Sequence, residues 1–103
     1  MTDRRLLDVP ARILLGGADE LDRCGLCRFS SNDPHGLICA AEAIYRAGRA
    51  VNASLGYDGD VTAAFVRLRQ YLYVDSIPDW SDHSKDEAEV TAALRAAAIT
   101  RPA

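Results

Sequence analysis

Apolar residues recur at helical spacing in four stretches of the chain. In the first, Ile13, Leu14, Ala18 and Leu21 share one face and Arg12, Asp19, Glu20 and Asp22 the other, which predicts an amphipathic helix. Asp8 is placed to cap its first turn. Pro10 follows where a missing N–H costs nothing, and Gly25 suits the C-cap. Gly16 and Gly17 weaken this helix by roughly 1 kcal/mol each relative to alanine, a cost that makes sense if another helix must come close.

A second stretch runs from about Ile38 towards Leu55, with Ala40, Ala43, Ile44, Ala47, Val51 and Leu55 on one face and Glu42, Arg46, Arg49 and Asn52 on the other. A third starts at a capping Asp60 and carries Val61, Phe65, Leu68 and Leu72 at i, i+4, i+7 and i+11, with Arg67, Arg69 and Gln70 towards water. Ile77-Pro78 reads as its end. The fourth buries Val90, Leu94, Ala97 and Ala98, keeps Glu87, Thr91 and Arg95 outside, and has capping-box spacing at Ser84 and Glu87. Between the first two stretches, Leu26 to Phe29 and Leu37-Ile38 can be extended around the turn-formers Ser30 to Pro34 and Gly36. The expected fold is therefore mainly α: a compact four-helix domain over residues 8–100, with a small β-hairpin between helices one and two and a flexible tail at 1–7.

The bulk properties narrow the function classes. A chain of 103 residues with 49% hydrophobic and 26% charged residues fits one globular domain. The net charge of −3 disfavours a general nucleic-acid binder, which needs a basic surface to displace counterions. No apolar run approaches the ~20 residues of a membrane span. The start, MTDRRLLDVPARILLGG, lacks the pattern of a signal peptide. An odd number of cysteines, 3, argues against a secreted disulfide framework. The expectation is a cytoplasmic protein with reduced thiols.

Three segments carry a resemblance. PARILLGGADELDRCGLC, CAAEAIYRAG and SIPDWSDHSKDEAEVTAALRAAA resemble an uncharacterised family of small actinobacterial and actinophage proteins. Members of that family have a Pro-Ala helix, a Cys-led alanine-rich helix and a tryptophan–polar–aspartate loop before the last helix. Leu26, Ser81 and Glu42 stand where the family usually has tryptophan, asparagine and glycine. The resemblance supports the helical fold and implies no activity.

All three cysteines and one histidine lie in RCGLCRFSSNDPHGLICA, residues 23–40. Cys24, Cys27, His35 and Cys39 are donors of the kind tetrahedral zinc takes, so a zinc-stabilised regulator contacting nucleic acid is one alternative. Against it, Cys24 and Cys39 fall on helix ends and the second half lacks a CxxC knuckle. The favoured reading has no metal or cofactor, with the thiols as small buried hydrophobes. A third reading makes Cys39, at a helix N-terminus with His35 four residues before it, the nucleophile of a thiol enzyme. No orienting third group or oxyanion hole accompanies them.

In the Asp79–Ser84 loop, Trp80 is expected to pin the loop to the core, and Asp82 and Ser84 to satisfy free N–H groups at the start of the last helix, with Glu87. Asp75, Asp79, Asp82, Asp86, Glu87 and Glu89 make the last third acidic, opposed only by Lys85, which would suit a basic partner. Arg46, Arg49, Arg67 and Arg69 form a basic set, and Tyr71 and Tyr73 flank the third helix's stripe as candidate contacts. The functional expectation is a non-enzymatic protein that acts by binding another protein or itself, as an accessory or host-modulating factor.

Overall fold

A computed structural model describes residues 6–26, 39–51, 59–83 and 86–100. These form five helices: α1 (Val9–Cys24), α2 (Ala40–Val51), α3 (Gly59–Leu72), α4 (Ile77–Asp82) and α5 (Glu87–Ile99). The expected count of four, with a hairpin, is corrected. The described residues contain no strand, and a fifth helix occupies what was expected to be a loop. Most of the expected hairpin, residues 27–38, lies outside the described residues.

Helix α1 is the hub, packing against α2, α5 and α3. Its predicted caps are present. Asp8 accepts from the Ala11 amide at 3.0 Å, and the Gly25 amide donates to the Leu21 carbonyl at 2.7 Å, with Gly25 at φ 88°. Ile13, Leu14, Ala18 and Leu21 are fully buried, as their spacing predicts, together with Ile44, Leu68, Val90 and Leu94 from the other helices. The two glycines of α1 serve as approach points. A Cβ on Gly16 would lie 3.0 Å from Ala47 Cβ, and one on Gly17 3.1 Å from Leu94 Cδ2. Their helix-propensity cost is thus exchanged for close packing on α2 and α5. Gly48 does the same between α2 and α3, where a Cβ would come within 2.3 Å of Val61 Cγ2.

Helix α2 begins one residue after Cys39, whose Sγ accepts from the Glu42 amide at 3.3 Å; the thiol thus acts as a weak N-cap. Its extension towards Leu55 falls outside the described residues. The third helix starts at Gly59, so Asp60 lies inside its first turn rather than before it. Helix α5 is capped by Asp86, which accepts from the Glu89 amide at 2.9 Å. The expected cap, Ser84, lies outside the described residues. Thr91, expected outside, is buried. Its hydroxyl donates to the Ala88 carbonyl at 3.2 Å, which leaves the methyl face free to pack.

Ion pairs tie the periphery to this core. Arg67 on α3 grips the Asp8 carboxylate with two nitrogens, at 2.8 and 2.6 Å. Arg95 on α5 reaches Asp19, at 3.4 Å, and Asp22 on α1. The Leu26 amide donates to Glu87 Oε1 at 2.9 Å, joining the chain after α1 to the start of α5.

Candidate functional site: the turn between helices three and four

Helix α3 ends in an unusual way. The Val74 amide donates to the Arg69 carbonyl at 3.2 Å, and Tyr73 between them has φ 57°. This is a Schellman-type terminus, in which the left-handed residue is usually glycine. A side chain there costs of order 1 kcal/mol through contact of its Cβ with the backbone. Tyr73 is the only non-glycine residue with positive φ among those described, and its side chain is 95% exposed. The fold therefore holds an aromatic ring in water at a strained position where glycine would relieve the strain.

The next residues turn back at once. Ser76 caps α4, its Oγ accepting from the Asp79 amide at 3.3 Å, and Pro78 sits in the first turn. Ile77 is buried against the core and Trp80 is half-buried against it, so the turn is pinned from below. His83 closes the helix. Its amide and its ring Nδ1 both donate to the Asp79 carbonyl, at 3.2 and 2.7 Å, which places a proton on Nδ1.

The turn and the first turn of α5 enclose an open groove of about 480 Å³, lined by Tyr73, Val74, Asp75, Ser76, Asp79, Trp80, His83 and Glu89. A shallower hollow of about 310 Å³ lies on the other side of Ser76, against Phe65 and Arg69. The main groove has aromatic walls and three carboxylates; its described lining includes neither lysine nor arginine. This composition suits recognition of a cationic or amphipathic group.

The remaining sequence-derived candidates fall elsewhere. Tyr71, 39% exposed, is on α3 just before the turn. Three of the four arginines of the basic set are engaged by carboxylates. Arg46 Nε and Arg49 meet Glu42 at 3.1 and 3.4 Å, and Arg67 holds Asp8. Arg46 also donates weakly to Cys24 Sγ at 3.9 Å. Only Arg69 of this set lies beside the turn, in the shallower hollow. Hydrogen bonding from Arg67 holds the Asp8 carboxyl below its usual pKa, and the same contact raises that of Arg67.

Of the zinc candidates, Cys27 and His35 lie outside the described residues. Cys24 and Cys39 are free thiols, Cys39 buried. Among the described residues no group of three or more His, Cys, Asp and Glu side chains is arranged to hold a metal. Asp82 is the last residue of α4, Asp86 caps α5, and Glu87 accepts from the Leu26 amide. Sequence reasoning missed Ser76 and His83 as the ends of α4. The signal was present in Ser76-Ile77-Pro78-Asp79, a capping residue with proline in the first turn.

No helix among the described residues is long and apolar enough to cross a membrane. No curated protein and no solved structure matches the chain significantly. One family profile does match, over residues 7–100, and it spans every described helix, the Tyr73 turn included. The chain belongs to that family, DUF6197, a family of unknown function.

Proposed function

We propose that this chain is a non-enzymatic cytoplasmic protein that works by binding another protein, and that the face around Tyr73 is its contact surface. The observation that carries the reading is the strained, solvent-exposed Tyr73 at the rim of the groove. Strain of this kind is retained where a side chain is needed for something other than stability. Tyrosine supplies a large, rigid contact area with little side-chain entropy to lose, which is why it is enriched at binding hot spots. Trp80 extends the aromatic character of the same face. An accessory or host-modulating role in an actinobacterium or its phage is the biological setting proposed with it, on the sequence resemblance alone.

The test separates stability from binding in one variant. Tyr73→Gly relieves the left-handed strain, so the variant should be as stable in urea as the wild type or up to about 0.5 kcal/mol more stable, after allowance for the entropy glycine adds to the unfolded chain. It should at the same time lose the protein that the wild-type chain retains from its native host extract. A variant that is at least as stable and retains the same partner would show that Tyr73 has no part in binding.

A further inference from the structure

On the premise that the Tyr73 face binds a partner protein, we infer that the groove takes an arginine-bearing segment of that partner. Charge complementarity is the first argument. Among the described residues, the ionisable groups lining the groove, besides the Tyr73 phenol, are Asp75, Asp79, Glu89 and the His83 imidazole. Asp75 and Asp79 pair with no cation among the described residues. Elsewhere on the described surface, Asp8, Asp19, Asp22, Glu20 and Glu42 are each held by an arginine of the chain itself. Asp60, Asp86 and Glu87 are likewise in none of these ion pairs, but Asp75 and Asp79 are the two that line a concave part of the chain; Asp75 also borders the hollow that holds Arg69.

The aromatic walls are the second argument. Trp80 is half-buried against the core, so its ring is positioned before any ligand arrives, and the backbone of Tyr73 sets a second, exposed ring at the groove's rim. A cation over an aromatic face is attracted to the ring quadrupole, and arginine does this best because its guanidinium is planar and weakly hydrated. The same group offers a fork of donors that a carboxylate accepts in pairs. Lysine supplies the charge without the plane or the fork. A groove combining a packed tryptophan, a tyrosine at its rim and two carboxylates that no cation among the described residues pairs with therefore selects arginine over lysine, and either over a neutral side chain.

The chain contains 1 tryptophan and 4 tyrosines, so emission excited at the red edge of the indole band, where tyrosine does not absorb, reports on Trp80 alone. The purified full-length chain is titrated with acetyl-Gly-Arg-Gly-Arg-Gly-amide, with its lysine analogue and with its citrulline analogue, which keeps the shape and loses the charge. The arginine peptide should give a saturable change in Trp80 emission, with lysine weaker and citrulline silent. Asp79→Asn and Asp75→Asn should each weaken the arginine peptide about threefold or more. Affinity of the wild type should also fall with added salt, a readout that stands even if a variant misfolds. Unchanged emission with the arginine peptide would overturn the inference, as would citrulline binding as well as arginine.

Failure here is distinguishable from failure of the underlying reading. Loss of the host partner in Tyr73→Gly with a groove indifferent to arginine sinks only this inference. Retention of the partner by Tyr73→Gly sinks both. A concentration-dependent dimer that the arginine peptide dissolves would assign the groove to a second copy of the chain and overturn the choice of partner.

Discussion

Gly48→Ala tests the packing that sets α3, and with it the Tyr73 turn, against α2. The added methyl would sit 2.3 Å from Val61 Cγ2. Carbon atoms in contact prefer about 3.5–4.0 Å, so more than about 1 Å must be recovered by moving a helix or turning Val61. Valine in a helix has one strongly preferred rotamer, so turning it costs roughly 0.5–1.5 kcal/mol. Overpacking of this kind costs about 1–3 kcal/mol in total. Alanine returns up to about 1 kcal/mol of helix propensity. The expected net loss is about 1 kcal/mol, read as a lower midpoint in urea unfolding followed by helical circular dichroism. Val61→Ala removes the colliding methyls. Combined with Gly48→Ala it should therefore restore stability, while in the wild-type background it should cost about 1 kcal/mol of lost burial. The double-mutant coupling should reach about 1–2 kcal/mol in the favourable direction. A Gly48→Ala chain about 1 kcal/mol more stable than the wild type, with no coupling to Val61, would refute the close α2–α3 contact.

Further expectations concern single groups. Arg67 lowers the Asp8 pKa, so the pair's contribution is present above the unfolded value near 3.9 and is lost as pH falls through the lower folded value. Because Asp8 is 55% exposed, that contribution is at most about 1 kcal/mol. Asp8→Asn keeps a capping acceptor and loses the charge, so its stability gap from the wild type at neutral pH should close below about pH 4. A gap that persists in acid would point to the cap instead of the ion pair. Ser81 is fully buried and its Oγ has no hydrogen-bond partner among the described residues. Ser81→Ala should leave calorimetric stability unchanged or raise it by about 1 kcal/mol, and a loss above about 1 kcal/mol would reveal a partner for that hydroxyl.

Helices α1 and α5 were legible because each buries one continuous face, and spacing alone identified Ile13, Leu14, Leu21, Val90 and Leu94. The cap at Asp8 was legible because an N-cap is local chemistry. Helix α4 was not, because Ile77-Pro78 reads as a helix end. Proline stops a helix only in its interior and favours one in its first turn. Thr91 defeated the pattern because a hydroxyl bonded to its own helix presents a methyl to the core. Its spacing turns Arg67 towards water, as one of the basic set. Its partner is 59 residues away in sequence, and periodicity carries no information about such pairs. For the candidate site, sequence supplied the tyrosines, the tryptophan and the acidic residues. The positive φ at Tyr73, which sets that residue at the rim beside Asp75, Asp79 and Trp80, is a backbone fact no residue type announced.

The most direct test of partner docking at the Tyr73 turn is photocrosslinking in the native host. The photoreactive p-benzoylphenylalanine replaces Tyr73 in one chain and exposed Ala50, on α2, in another. The account predicts one discrete conjugate with a host protein from position 73 and none from position 50. No conjugate from position 73, or the same conjugates from both positions, would contradict it.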